Sequence, residues 1–293
     1  MPDPVEIRRG VEVHRDIEYR RTAGAQILRF DLYRPVRATE PLPAVAYFHG
    51  GGWTRGTRAD YALDRLVPVA AAGVVVVSAS YRFSQDSAWP AQLEDAAAAV
   101  DHVVAHAEEF GVDPARVSVW GASAGGHIAT MLAVGRGVGA AILPASSGRA
   151  IHAAVAFHAP ADLIALQTEP TDPGALLPAF VTDPDAPRGH PEARLVGAMG
   201  PGERLDALRA ASPVVHAGPS AAPLLLVTGN RDAMMPLSQP RRLASALAAA
   251  GVEHQLLIVD GATHEDSAFH TPAVLGAVTG WITAERRSVA TDA

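Results

Sequence analysis

The chain predicts an α/β fold: a mostly parallel central sheet with helices on both faces. Three observations predict it. Short apolar runs, among them Ala44–Phe48, Gly73–Tyr81, Ile151–Phe157 and Leu224–Thr228, alternate with alanine-rich stretches of helical length. The connections between them are short, and strands that read as apolar on both sides fit a sheet covered on both faces. At the centre, Arg116–Trp120 reads as a strand and Ala124–Val134 as a helix, with only small residues and one hydroxyl between them.

In chain order, residues 11–19 and 25–33 alternate as strands around Thr22-Ala23-Gly24-Ala25, an antiparallel hairpin over about 11–33. Residues 36–43 are polar and proline-rich and form a loop. Ala44–Phe48 is a buried strand that runs into His49-Gly50-Gly51-Gly52-Trp53. Residues 59–72 read as a helix, Gly73–Tyr81 as a central strand, and Pro90–Phe110 as one long helix ended by Gly111. After the central helix, Ile151–Phe157 is a strand that exits through His158-Ala159-Pro160-Ala161-Asp162. Residues 167–191 hold six prolines around a short apolar patch, Leu176–Val181. Such an irregular excursion is expected to be a lid or pocket wall, taken here as about 162–212 within one domain of 1–293. Leu224–Thr228 and His254–Val259 complete the sheet, with helices over Leu237–Ala250 and about Pro272–Arg286.

Composition narrows the function. A formal net charge of −7 and the absence of a basic run argue against nucleic acid. There is no cysteine, which excludes disulfides, thiolate metal sites and a cysteine nucleophile. The N-terminal stretch has no apolar core of a signal peptide, and Val67–Ala79, the longest apolar run, is too short to span a bilayer. A cytoplasmic protein without membrane contact is the expectation.

The chemistry is expected at Gly121-Ala122-Ser123-Ala124-Gly125, a G-x-S-x-G pattern. A serine at the tip of a sharp strand-to-helix turn sits in a strained backbone region, so its neighbours two residues away must be small. The helix behind it aims backbone N–H groups at charge that develops on a substrate. The three glycines after His49 let a backbone pass close to a ligand with its N–H groups bare; a flexible turn is the alternative. A serine nucleophile needs a base and an acid that orients it. His254 lies inside a strand and His270 near the last helix, whereas His264 sits in the loop after the last strand and is assigned as base. Asp232, in the turn after Leu224–Thr228, is assigned as acid over Asp260, which stands too close to His264 in sequence. Glu265 and Asp266 read as helix-start charges. In the mechanism this implies, His264 takes the Ser123 proton, Asp232 holds the imidazole, and the N–H groups of Gly51, Gly52 and Ala124 bind the oxyanion. No metal and no organic cofactor is called for.

Leu32-Tyr33-Arg34-Pro35, His49–Trp53, Ser80-Tyr81-Arg82-Phe83, Trp89–Asp95, Trp120–His127, the Asp232–Pro236 spacing and Gly261–His264 together resemble the α/β-hydrolase superfamily. Within it the chain is similar to the hormone-sensitive-lipase-like and bacterial feruloyl-esterase-like (BD-FAE) esterases, over about residues 15–285. The resemblance implies an α/β-hydrolase fold, a Ser123–Asp232–His264 triad, and an oxyanion hole of Gly51, Gly52 and Ala124. It implies that His49 orders its loop and that Tyr81-Arg82 and Asp95 are structural. Two departures stand out: His158-Ala159-Pro160, where many relatives carry Gly-Pro after an aromatic residue, and the proline-rich insertion. His158 is either a pocket polar group or a core histidine. Trp53, Met234 and Met235, with Leu176, Leu177 and Phe180, are candidates for an apolar substrate pocket.

The functional expectation is a serine carboxylesterase acting on a small-molecule ester of short to medium acyl chain or an aryl ester. The alternatives are an arylformamidase acting on N-formylkynurenine, whose HGGxW loop is matched by His49–Trp53, and a non-catalytic ligand receptor on the same fold. Relatives commonly dimerise, so a homodimer is carried as an expectation.

Overall fold

A computed structural model describes residues 1–8, 10–135, 151–167, 169, 191–197 and 200–286. Its strands are β1 (Val5–Arg8), β2 (Val11–Arg21), β3 (Ile27–Pro35), β4 (Leu42–Phe48), β5 (Val75–Ala79), β6 (Val112–Ala122), β7 (Ala154–Phe157), β8 (Leu224–Gly229) and β9 (His254–Val259). They form one nine-stranded sheet in the order β1-β2-β3-β5-β4-β6-β7-β8-β9. From β5 to β9 every neighbouring pair is parallel, and β1, β2 and β3 add an antiparallel wing.

The main helices are α1 (Val67–Ala71), α2 (Ala91–Ala105), α3 (Ala124–Val134), α4 (Ser238–Ala249) and α5 (Pro272–Thr283). The pleat sorts each strand between two cores. Ala44, Ala46, Phe48, Val75, Val77, Leu224 and Leu226 pack on one face with α2, α3 and α4. Val45, Tyr47, Val76, Trp120 and Leu225 pack on the other with α1 and α5. Side chains alternate across a strand, so a strand buried on both sides must be apolar at every position. That is why β5 reads Val-Val-Val-Ser-Ala, all of it buried, its one polar side chain, Ser78, donating to the Arg58 carbonyl at 2.8 Å.

Several elements differ from the sequence reading. Residues 59–72 are not one helix: a π-helical turn spans Ala62–Leu66 and α1 follows. Pro68 has no N–H to bond the carbonyl four residues back, so the first turn cannot continue in α register. The long helix breaks at His106 (φ −112, ψ 24), with a short second segment over Ala107–Phe110. There the His106 ring also bonds the His102 carbonyl, at 2.9 Å, and stacks on the His102 ring. The central strand is longer than Arg116–Trp120, and β1 adds a strand that the sequence did not signal. Leu176, Leu177 and Phe180 lie outside the described residues. Among the described residues no helix is long and apolar enough to cross a membrane.

Candidate active site

Ser123 leaves β6 at φ 52 and ψ −119, and α3 begins at the next residue. A positive φ is costly for a serine, and it is held from both sides. The Ser123 N–H donates to the Phe157 carbonyl at 2.9 Å, and its own carbonyl accepts the His127 N–H at 2.9 Å. The glycines around it are required by contact. A Cβ on Gly121 would stand 2.2 Å from Gly125 backbone, and one on Gly125 would stand 2.0 Å from the Phe48 carbonyl oxygen. The Ser123 turn is thus seated directly on the end of β4.

The end of β8 and the loop after β9 bring up the other two groups. With its proton on Nδ1, His264 donates to Asp232 Oδ2 at 2.8 Å, and its Nε2 accepts from Ser123 Oγ at 3.0 Å. Asp232 Oδ1 accepts the N–H groups of Met234 and Met235, both at 2.9 Å. The Asp232 side chain is fully buried, and that of His264 is 13% exposed. The two loops touch: a Cβ on Gly229 would lie 2.1 Å from the Ala262 carbonyl oxygen, which also accepts the Arg231 N–H at 3.0 Å. Asp260 is turned away, accepting from Asn230 Nδ2 at 2.7 Å.

The loop after β4 passes over the serine. The position of a Cβ on Gly50 is 3.5 Å from Ser123 Cβ. Gly51 and Gly52 both have positive φ, and a Cβ on Gly51 would meet the Arg55 carbonyl. The N–H groups of Gly51, Gly52 and Ala124 are not used by the turn, loop and cap hydrogen bonds of the described residues. The ring of His49 bonds the Gly50 carbonyl at 2.8 Å and stacks on Tyr81, whose hydroxyl donates to the His49 carbonyl at 2.9 Å. Arg82 Nε donates to Asp95 Oδ2 at 2.8 Å, which anchors the chain just beyond Tyr81.

The substrate-contact candidates fare differently. Met234 and Met235 are partly exposed, and their backbone serves the acid. Trp53 is buried in the core with its ring edge-on to His127 at 5.2 Å, so it is a packing residue. His158 is enclosed as well, 4.5 Å from the His264 ring centre, and is a buried neighbour of His264 rather than an open pocket group. Glu265 is not a helix-start charge; Asp266 is, accepting the Ala268 N–H at 3.0 Å. The Glu265 carboxylate turns inward and accepts from Arg65 Nη2 at 2.7 Å, while Arg65 Nη1 donates to the Tyr47 hydroxyl at 2.7 Å. Burial pushes the Glu265 carboxyl up, but His158 and Arg65 outweigh it and hold it well below the usual carboxylate range. Burial pushes the Tyr47 phenol up to about 12, and takes His158 down to about 4. The sequence signal for this group was slight: Arg65 follows Asp64 between Leu63 and Leu66, a pattern an exposed helix face also shows. Among the described residues no group of three or more histidines and carboxylates is arranged to hold a metal ion.

A family model, BD-FAE, matches residues 30–247. The chain belongs to the BD-FAE family. This BD-FAE member is 41% identical over 107 residues to the carboxylesterase NlhH of Mycobacterium tuberculosis, covering 35% of this chain and 32% of NlhH. It is 28% identical over 240 residues to the esterase LipC of the same organism, covering 76% of this chain and 55% of LipC. The match thus spans about a third of one relative and about half of the other. Among solved structures, an esterase of Pyrobaculum calidifontis superposes with a TM-score of 0.73 at 26% identity, over 92% of this chain and 84% of that one. A truncated carbohydrate esterase from gut microbiota superposes at a TM-score of 0.77 and 23% identity, over 92% and 95% of the two chains, which is a likeness of fold. The fold of this family member is that of the α/β-hydrolases.

Proposed function

We propose that the protein is a serine hydrolase of carboxylic esters, acting on small-molecule esters of short to medium acyl chain or aryl esters. The observation that carries this reading is the unbroken chain from Asp232 through His264 to Ser123, at 2.8 and 3.0 Å, beneath a loop with bare N–H groups. In the proposed reaction, His264 Nε2 takes the hydroxyl proton as Ser123 Oγ attacks the ester carbonyl. Asp232 holds the proton on Nδ1 and stabilises the imidazolium. The N–H groups of Gly51, Gly52 and Ala124 donate to the developing oxyanion, each donor contributing about 3 kcal/mol to the transition state. His264 then protonates the leaving alcohol, and water repeats the sequence to release the acid from Ser123. The similarity to NlhH and LipC, named as esterases, supports the same reading.

The test is hydrolysis of p-nitrophenyl esters from acetate to laurate by wild type and Ser123→Ala, with N-formylkynurenine alongside. Ester turnover lost in the variant supports the reading, and the chain-length profile sizes the acyl site. Formamide turnover far above ester turnover replaces it with an arylformamidase. Absence of Ser123-dependent turnover on every substrate leaves the non-catalytic receptor. A cytoplasmic location and a homodimeric state belong to the same proposal, and are checked by cell fractionation and by size-exclusion with light scattering.

A further inference from the structure

Directly beneath the proposed triad lies a second set of buried polar groups that the mechanism does not use. Glu265 follows the base in sequence and holds φ 54, a left-handed conformation for a residue with a full side chain. That twist sends its carboxylate away from solvent while His264 faces Ser123. Oε2 accepts from Arg65 Nη2 at 2.7 Å, and Oε1 stands 3.4 Å from His158 Nε2. The same Oε1 would be 3.0 Å from a Cβ on Gly50, so the carboxylate also touches the loop that carries Gly51 and Gly52. Arg65 is fully buried in the π-helical turn. It reaches Tyr47 on β4, the strand that feeds the same loop, and its guanidinium carbon lies 4.5 Å from the Tyr61 ring centre and 5.3 Å from that of Phe157.

We propose that Glu265 is a positioning residue: with Arg65 it locks the base loop to the oxyanion loop and sets the electrostatic surroundings of His264. The inference rests on the serine-hydrolase reading. A buried ion pair is a poor source of stability, since apolar residues of the same volume often do as well. A pair kept here, on a strained residue, in contact with both loops, fits a requirement for placement. Asp232 from the loop after β8 bonds His264, His158 from the end of β7 lies against its ring, and Glu265, next to it in the chain, holds Arg65 from the π turn. His270 and Asp266, from the segment that follows the base, complete the charged and titratable groups of this region. His270 Nε2 stands 3.0 Å from Arg65 Nη2. Burial disfavours a charge on the His158 ring, which meets the His264 ring edge-on at 4.5 Å. Neutralising Glu265 alone leaves the Arg65 charge without its counter-ion under the loop that carries His264, where it opposes formation of the imidazolium.

The experiment compares Glu265→Gln with the double variant Arg65→Met/Glu265→Gln, which removes both charges. Measured on a p-nitrophenyl ester, Glu265→Gln is expected to lower kcat tenfold or more with KM within threefold. Its acid limb of kcat/KM moves to lower pH by half a unit or more. The double variant is expected to recover thermal stability and to return the acid limb toward wild type, because the unpaired cation is gone, while kcat stays at least tenfold low because the bond that locks the two loops is still missing. Recovery of kcat together with Tm overturns the proposal, because the pair would then serve the fold alone. So does a Glu265→Gln enzyme with wild-type kcat and an unmoved acid limb, and so does failure of both variants to fold. Titration of the His264 ring by NMR supplies a readout without turnover: a midpoint unmoved by Glu265→Gln sinks the positioning role. Loss of turnover in the wild type itself sinks the esterase reading instead.

Discussion

Replacing Asp232 by asparagine tests the proposed chemistry at a single atom. Asp232 accepts three hydrogen bonds: Oδ2 from His264 Nδ1 at 2.8 Å, and Oδ1 from the Met234 and Met235 N–H groups at 2.9 Å. The two backbone donors cannot turn into acceptors. An asparagine must therefore place its carbonyl oxygen where Oδ1 was, and its NH₂ faces His264. The ring then has to accept at Nδ1, which moves its proton to Nε2 and removes the lone pair that Ser123 needs. The structure is preserved and the tautomer is wrong. The expected loss in kcat is about 10⁴-fold, equal to roughly 5.4 kcal/mol of barrier at 1.36 kcal/mol per tenfold. KM and Tm should stay close to wild type. Asp232→Ala, by contrast, leaves two backbone donors without a partner, at about 1–3 kcal/mol each, so it should also melt several degrees lower. The assay is steady-state hydrolysis of p-nitrophenyl acetate with parallel thermal melts. A loss below tenfold in Asp232→Asn would refute the tautomer argument and the role of Asp232 with it.

Three further outcomes are expected. Gly125→Ala should cost at least about 3 kcal/mol and abolish activity, since its Cβ meets the Phe48 carbonyl at 2.0 Å, whereas Gly276→Ala, with open space around it in α5, should raise the Tm slightly; equal melts of the two would contradict the packing argument. Burial lowers His127 and His158 to about 4 from 6.5, so the unfolded chain binds protons there that the native chain refuses. Their contribution is complete above pH 6.5 and is lost as the pH falls toward 4, so Tm should drop across that window, and a Tm flat from pH 7 to 4 would disprove it. Asp95→Asn weakens the buried carboxylate that meets Arg82 Nε and Arg20 Nη1, both at 2.8 Å. Because both arginines reach solvent, the cost should be about 2–3 kcal/mol, below the range for a fully buried pair, and chemical denaturation measures it.

The nucleophile turn was legible because its glycines are dictated locally: no other residue fits where a strand end, a carbonyl and a helix start converge. His264 and Asp232 were legible for a topological reason, since loops at the same ends of parallel strands must face one another. The strands were legible from β-rich apolar runs, and β1 was missed because Val5–Arg8 is short and its pairing is set by β2. What failed to show was burial direction. Trp53 has a side chain suited to a pocket and His158 was open between pocket and core, and the assembled sheet places both in the interior. The Arg65–Glu265 bond joins residues 200 positions apart, and no local spacing announces it. Its one trace was Arg65 after Asp64 between two leucines, a pattern that an exposed helix face would also produce.

The contact of Gly229 with Ala262 bears on selectivity for the alcohol half of an ester. It presses the Asp232 turn and the His264 turn into one block, so neither travels toward a departing group by itself. What freedom the imidazole has lies in rotation about its own two torsions. In the proposed reaction a bulky alcohol must then bring its oxygen to a stationary proton donor, and reach is gained only by reshaping the mouth around that donor. Engineering for larger alcohols belongs at the rim, with this glycine left alone.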